Sequence, residues 1–230
     1  MTMPFFTPPE EMMKQKADFA RKGIARGRAL VALQYGEGIL LVAENPSNTL
    51  RKVSEIYDRI AFAGVGKYNE FDQLRQFGVR TADLLGYQFS RQDVEGRSLA
   101  NSYAQIIGQS FTHEPKPLEV EILVAEIGID SSGDRLFHIT YDGTVLDESQ
   151  CCVLGGDAET IMVRLREGLD PSATLDQAVR QAVTALAGPD RNLTADDLEV
   201  AVLQRGSERR CFSRIDDADV ARMMSSGAGS

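Results

Sequence analysis

Positive charge, histidine, cysteine and long apolar runs are all scarce in this 230-residue sequence. Its 25 lysines and arginines face 34 aspartates and glutamates, which gives a formal net charge of -9. This balance argues against nucleic acid as a partner, because phosphate binding needs clustered basic residues. No apolar run approaches the roughly 18–20 residues of a membrane span, and the N-terminal segment MTMPFFTPPEE does not have the pattern of a signal peptide. We therefore expect a soluble, cytoplasmic protein.

The small number of cysteines argues against disulfide bonds as part of the fold. Cys151 and Cys152 are adjacent, and neighbouring residues in a strand point to opposite faces. With Cys211 they make an odd number, which fits a reducing compartment where free cysteine behaves as a small apolar residue.

The two histidines, His113 and His138, are too isolated in the sequence to predict a metal centre. They lie 25 residues apart, and neither has a cysteine or carboxylate at the spacing of a metal-binding motif. A Ser-His-Asp triad is not indicated either. We expect neither a metal nor a cofactor.

A helix is predicted over residues 10–26, because apolar residues recur there at helical spacing. Glu10 and Glu11 suit the positive end of the helix dipole, and Gly27 suits the end of the helix. The apolar positions are Met13, Ala17, Ala20 and Ile24. Such a stripe must pack on another surface.

The rest of the chain alternates paired strands with paired helices. The predicted order is a helix, four strands, two helices, three strands, two helices, two strands and a helix. This order indicates an α+β fold in which antiparallel sheets lie between layers of helices. The strands are expected at 29–35, 39–44, 53–57, 60–64, 120–129, in a hairpin within 135–156, and at 198–205 and 210–214. The later helices are expected around 71–85 and at 94–111, 158–167, 174–187 and 216–224.

A glycine-rich segment at 64–67, GVGK, follows a predicted strand and opens a helix, where a phosphate-binding loop would lie. The Walker pattern fails, because Ala61 and Tyr68 occupy the positions of a glycine and of Ser or Thr. The dinucleotide pattern fails because Asn69 replaces its third glycine. The segment therefore predicts a tight strand-to-helix turn and not a nucleotide site.

The hairpin that begins near residue 28 raises the question of N-terminal nucleophile chemistry. This chemistry needs a Thr, Ser or Cys whose own amino group is freed by cleavage, usually after glycine. Gly27 precedes the hairpin, but the next residue is Arg28, which cannot be the nucleophile. The one Gly-Thr pair, Gly143-Thr144, lies inside the second hairpin, where cleavage would divide a sheet. The layout is that of a hydrolase with a disabled reactive position.

Several connected stretches resemble α-type subunits of the proteasome core particle, most closely the actinobacterial kind. They include FARKGIARG, ALVALQYGEGILLVAENPS, LRKVSEIYDRIAFAGVGKYNEFDQLR, LANSYAQ, KPLEVEILVAEIG and FHITYDGTVLDE. The resemblance runs from about residue 1 to 224 and implies a four-layer αββα sandwich without catalytic activity. It also implies a gating tail at 1–9, one domain at 10–224 that opens with a helix at 10–27, and a flexible tail at 225–230.

The resemblance implies that the chain assembles a ring, gates its pore and docks activators. The implied partners are proteolytic β subunits and further copies of this chain, in heptameric outer rings of a stacked four-ring barrel. Ring-shaped ATPase or ATP-independent activators would bind through their C-termini. Phe5, Phe6 and Pro9 are the implied gate residues. The Tyr-Asp-Arg of archaeal and eukaryotic gating tails is here internal, at 57–59, so their gate geometry is not carried over.

For activator docking, Lys52 matches by its surroundings the family's lysine that pairs with an activator's C-terminal carboxylate. Gly66 and Gly27 match pocket-wall positions, where the lack of a side chain lets a peptide approach. From the residues alone, the favoured interpretation of Lys52 is a solvated lysine before a strand. Two further alternatives remain at this point, namely a self-cleaved active hydrolase of the same fold and a stand-alone ligand-binding domain.

Overall fold

The structure, a computed structural model, describes residues 8–47, 49–206 and 210–226. Within these residues the chain forms six α-helices and ten strands. The helices are α1 (Pro9–Ala25), α2 (Tyr68–Gln88), α3 (Gly96–His113), α4 (Ala158–Glu167), α5 (Leu175–Ala187) and α6 (Asp217–Ser225). The strands are β1 (Leu30–Tyr35), β2 (Gly38–Glu44), β3 (Val53–Tyr57), β4 (Ile60–Gly66), β5 (Val120–Glu126), β6 (Arg135–Ile139), β7 (Val145–Glu148), β8 (Cys151–Leu154), β9 (Leu198–Gln204) and β10 (Phe212–Ile215).

The strands form two five-stranded antiparallel sheets that pack face to face. The first has the order β10-β9-β2-β1-β8 and the second the order β3-β4-β5-β6-β7. Helices α4, α5 and α6 cover the outer face of the first sheet, and α2 and α3 cover that of the second. A third apolar cluster fills the space between the sheets. This arrangement confirms the predicted αββα sandwich.

Local signals account for most element boundaries. The first hairpin closes with Tyr35 opposite Gly38, so Gly36 and Glu37 alone form its turn. Thr174 and Gln177 form a reciprocal capping box at the start of α5, as their spacing indicates. The sequence pattern predicts these boundaries because the turn residues and the capping residues lie within a few residues of the strand or helix ends that they determine.

The second hairpin differs from the prediction, because its stretch contains one strand more than expected. β6 and β7 pair with each other, but the chain then crosses to the other sheet, where β8 pairs with β1. Residues 149–150 make this crossing. This part of the chain therefore contains four strands, β5 to β8, where three were predicted, and β8 is an edge strand of the first sheet.

The strand predicted at 120–129 is also shorter than expected and ends at Glu126. The buried carboxylate of Asp134 accepts a hydrogen bond from the Gly128 N–H at 2.9 Å and pairs with Arg205 at 2.9 Å. These bonds turn the chain away from the sheet, and Ile129 is exposed as a result.

Helix α1 lies at one end of the sandwich and packs on the core between the sheets. Ala20 and Ile24 are buried there and Ala17 packs beside them, as the apolar stripe predicts, but Met13 is exposed. The buried Lys16 adds a polar anchor, because its Nζ donates to the carbonyls of residues 111, 112 and 114 at the C-terminal end of α3. These carbonyls have no partner within their own helix, so the ammonium satisfies them and ties α1 to α3.

We predict opposite effects for two glycine-to-alanine substitutions in the helices. A Cβ on Gly78 of α2 would overlap the hydroxyl of Tyr103, whose fully buried ring lies between Phe62 and Phe77. Gly78→Ala should therefore lower the free energy of unfolding by about 1–3 kcal/mol, although alanine favours a helix by about 1 kcal/mol. Chemical denaturation measures this difference.

The matched control is Gly108→Ala in α3. A Cβ there would make only an ordinary contact of 3.4 Å with the Asp142 carbonyl oxygen. Its stability should stay unchanged or rise by up to about 1 kcal/mol. Equal effects of the two substitutions would contradict the packing described at Gly78.

Candidate functional site

The start of β1 is the position at which an N-terminal nucleophile would stand in this type of fold. Arg28 occupies it as an exposed residue, and the buried Ala29 follows. Neither side chain carries a hydroxyl or thiol. Thr144, the residue of the Gly-Thr pair, lies in the turn between β6 and β7, where Asp142 Oδ1 accepts a hydrogen bond from its N–H at 3.0 Å. Neither place offers a reactive terminus.

Lys52 lies directly before β3, and its backbone is fixed from both sides. Its N–H donates to the Glu199 carboxylate at 2.8 Å, and its carbonyl accepts from the Gly64 N–H at 3.0 Å. The buried Glu199 also accepts hydrogen bonds from Asn45 and Val53. The position from which the Lys52 side chain extends is therefore well defined.

The Lys52 ammonium reaches the start of β1. Nζ donates to the Arg28 carbonyl at 2.7 Å and to the Glu44 carbonyl at 3.2 Å. A lysine ammonium has three N–H donors, so these two bonds leave one donor for another acceptor. Within the part of the chain that the structure describes, no carboxylate lies within the 4.0 Å of an ion pair with Nζ.

The two carboxylates nearest to Lys52 are already paired with arginines. Both oxygens of the buried Glu44 accept hydrogen bonds from Arg191 at 3.1 Å, and Arg28 lies 3.6 Å away. Glu199 forms an ion pair with Arg214. The ammonium therefore contacts peptide carbonyls, while the acidic groups around it are bound elsewhere.

Burial lowers the pKa of Lys52 to about 8, because the cleft removes water from its ammonium. The negative charges of Glu44 and Glu199 oppose this change, and the positive charge of Arg28 adds to it. At neutral pH the group is still largely protonated. It is thus a partly desolvated cation without a carboxylate partner among the described residues.

The two predicted pocket-wall glycines lie against each other beside this cation. A Cβ on Gly27 would lie 3.7 Å from the Gly66 nitrogen and 3.1 Å from the Ile24 carbonyl oxygen. Gly66 has a φ of +99° and its missing side chain would overlap the Glu119 carbonyl, so the backbone alone requires glycine there. The structure brings Lys52, Gly27 and Gly66 together, and their role toward a ligand stays a prediction.

The GVGK segment forms the strand-to-helix turn that its sequence predicts. Its first three residues end β4, and the Lys67 N–H donates to the Glu119 carbonyl at 2.9 Å before α2 begins. Lys67 Nζ lies 3.4 Å from Glu70. These contacts account for the segment as a structural turn.

The predicted gate falls largely outside the described residues, since Phe5 and Phe6 both precede residue 8. Pro9 is described and is the first residue of α1, where its fixed φ and missing N–H suit a helix start. The internal Tyr57-Asp58-Arg59 forms the end of β3 and the turn into β4. Within the described residues, no helix has the length and apolarity needed to cross a membrane.

Two groups that shape this site were missed in the sequence, Glu44 and Glu199. Glu44 ends the apolar strand β2 (LLVAE), Glu199 lies within the apolar strand β9 (LEVAV), and each is less than 7% exposed. Buried carboxylates must be paired, so an acidic residue in such a strand is the available signal. The arginines that pair with them could not be identified from the sequence.

We predict a pH dependence of stability that is specific to Lys52. Its pKa is about 8 in the folded chain and has its ordinary value of 10.5 when unfolded. Between these values the unfolded chain binds more protons, so the contribution of Lys52 to stability rises with pH. Relative to Lys52→Met, the wild-type chain should gain stability from pH 8 to pH 10.5 and show a constant difference below pH 8.

Urea denaturation of the two proteins at intervals between pH 6 and 10.5 measures that difference. A difference that stays constant across the whole range would mean that the ammonium is not desolvated in the folded chain.

Comparison with known proteins identifies the family. Residues 24–203 match the family described as proteasome subunit. The chain is 58% identical over 220 residues to the proteasome subunit alpha of Acidimicrobium ferrooxidans. This alignment covers 96% of this chain and 95% of the relative. It is 51% identical over 230 residues to the proteasome subunit alpha of Thermomonospora curvata, and this alignment covers 99% of this chain and 100% of the relative. It is 54% identical over 229 residues to the proteasome subunit alpha of a Nocardioides species, with 97% of this chain and 90% of the relative covered. The chain therefore belongs to the proteasome subunit family, as a non-catalytic α subunit of the bacterial core particle.

Proposed function

We propose that this chain forms the heptameric outer rings of a four-ring barrel and assembles there with proteolytic β subunits. In that position it would control substrate entry through residues 1–9 and dock activators at Lys52. The observation that carries the docking role is the desolvated Lys52 ammonium, which has two carbonyl partners and one remaining donor.

A C-terminal carboxylate is the ligand that best suits this cation. It offers a full negative charge, and a charge-assisted hydrogen bond contributes about 1.5–3 kcal/mol. Because Glu44 and Glu199 are held by arginines, they do not compete for the ammonium. The absence of a side chain at Gly27 leaves the adjacent backbone accessible to an extended peptide.

Activators with a ring of C-termini would use several such sites at once. A ring of α subunits repeats the Lys52 site, and linked binding events add by effective concentration. Moderate affinity at each site is therefore sufficient. Because a ring of C-termini matches a ring of Lys52 sites, we propose ring-shaped ATPases and ATP-independent caps as the class of activator that docks there.

The outward side of α1 supports packing against a neighbouring copy. Met12, Met13 and Phe19 are large apolar side chains that are 37–46% exposed in the single chain. Met12 and Phe19 line an open groove between α1 and the Pro-rich segment that follows α3. A ring contact would cover this surface, as apolar patches at interfaces usually are.

The gating role is assigned to residues 1–9, with Pro9 fixing the point at which the tail meets α1. Seven tails that converge on one axis can block an unfolded chain, and segments with few contacts move at little cost. The domain limits of 10–224 and the tail at 225–230 belong to the same proposal.

The gate can be tested by deleting residues 2–8 in particles assembled with the β subunit of the same organism. Peptide hydrolysis should become faster, because the deletion opens the entry of peptide into the particle and leaves the active sites of the β subunits unchanged. The control is the rate of reaction of the β subunits with a small active-site-directed inhibitor, which should not change. Unchanged peptide hydrolysis in fully assembled particles would remove the gate assignment.

The docking site can be tested with Lys52→Ala in the assembled particle. Binding of a peptide with the activator's C-terminal sequence should weaken tenfold or more, equivalent to about 1.4 kcal/mol, because one charge-assisted bond is lost. Fluorescence anisotropy with labelled peptide measures the affinity.

Lys67→Ala is the matched control, since Lys67 lies nearby but is already paired with Glu70. The Lys67→Ala particle should bind the free-acid peptide with the affinity of the wild type. A C-terminally amidated peptide should bind poorly to the wild type and to Lys67→Ala. Equal affinity of Lys52→Ala and wild type for the free-acid peptide would refute the assignment.

A further inference from the structure

Three potential metal ligands meet at the edge of the sandwich where β6, β7 and β8 lie close together. His138 is on β6, Glu148 ends β7 and Cys152 is on β8. Their imidazole nitrogen, carboxylate oxygen and sulfur all lie within 4.8 Å of one another. Two strands of the second sheet and one of the first thus contribute to a single cluster.

All three side chains face the space between the sheets. Leu136 belongs to the core between the sheets, and His138, two residues further along β6, shares its face. Glu148 lies directly opposite Leu136 across the β6–β7 pair and so projects to the same side. Cys152 belongs to the core between the sheets, whereas Cys151 faces the helices on the other side of β8.

The His138 side chain has an unused ligand atom. Its Nε2 is buried and forms no hydrogen bond within the described part of the chain. The Glu121 carboxylate on β5 lies 3.6 Å from this nitrogen, beyond hydrogen-bond distance. A buried imidazole nitrogen without a hydrogen-bond partner requires an explanation, and a bound ion is one.

We propose that His138, Glu148 and Cys152 bind a zinc ion, with Glu121 as the fourth ligand. Imidazole, thiolate and carboxylate are the donors that Zn²⁺ prefers in proteins. Bond lengths of 2.0–2.3 Å in a tetrahedron place ligand atoms about 3.3–3.8 Å apart. The ligand atoms of His138, Glu148 and Cys152 lie within 4.8 Å of one another and reach this geometry by side-chain rotations. Glu121, 3.6 Å from His138 Nε2, would approach from β5 to complete it.

Two acidic side chains in the cluster, Glu148 and Glu121, favour a divalent cation by their negative charge. Zinc would bind the Cys152 thiolate, release the thiol proton to solvent and neutralise these carboxylates. His138 and Glu121 are 12% and 17% exposed, which gives the ion a route from solvent.

A bound ion would connect the two sheets. His138, Glu148 and Glu121 belong to the second sheet and Cys152 to the first. Coordination by these four residues would therefore link the two sheets at one point. An ion that binds only the folded chain raises its stability by mass action. Zinc should therefore raise the unfolding temperature of this subunit.

The chain offers matched controls for a direct test. Cys151 is the neighbour of Cys152 on the opposite face of β8, and His113, the other histidine of the sequence, is exposed at the end of α3. Untagged protein is stripped with a chelator and titrated with Zn²⁺ against a chromophoric competitor. Co²⁺ serves as a spectroscopic probe, because a thiolate ligand gives a charge-transfer band in the near ultraviolet.

Wild type, Cys151→Ala and His113→Gln should bind one zinc ion per chain and be stabilised by it. Cys152→Ala and His138→Gln should bind at least tenfold more weakly, and Cys152→Ala should lose the cobalt charge-transfer band. If circular dichroism shows that Cys152→Ala does not fold, His138→Gln and the conservative Glu148→Gln carry the comparison. Absence of zinc binding by the folded wild type, or equal affinity of Cys152→Ala and Cys151→Ala, would overturn the proposal.

Discussion

The site depends on a lysine ammonium that is partly removed from water and held by two peptide carbonyls. Burial lowers the pKa of Lys52 to about 8, and the negative charges of Glu44 and Glu199 oppose this change. The carbonyl oxygens of Arg28 and Glu44 accept hydrogen bonds from the ammonium. Its position depends in turn on Glu199, which fixes the backbone of Lys52 and Val53. A cation in this state stabilises an incoming anion more than a fully solvated lysine does, since less hydration is lost on binding.

Helix α1 leads the chain into β1 beside this cation. It anchors on α3 through Lys16 and on the core between the sheets through Ala20 and Ile24, and the chain then continues into β1. At the position where a hydrolase of this fold would have a nucleophile, this chain has Arg28. The lysine donates a hydrogen bond to the peptide carbonyl of Arg28, and the binding role proposed for this end of the sandwich rests on that contact.

The sequence was sufficient for features that depend on neighbouring residues and insufficient for those that depend on the meeting of distant strands. The hairpins, the α5 capping box and the strand-to-helix turn before α2 follow from local patterns. The passage of β8 into the other sheet does not, because its partner β1 lies more than a hundred residues earlier. For the same reason spacing along the chain gave no sign that His138, Glu148 and Cys152 converge. Lys52, Gly27 and Gly66 were found through family resemblance, and their proximity became apparent only in the fold.

The most direct measurement is an experimental structure of the assembled particle with a peptide that ends in an activator's free C-terminal carboxylate. We expect this carboxylate to lie about 2.7–2.9 Å from Lys52 Nζ, the range of a charge-assisted hydrogen bond, with the peptide backbone passing Gly27. A peptide bound elsewhere, with Lys52 still contacting only the Arg28 and Glu44 carbonyls, would contradict it.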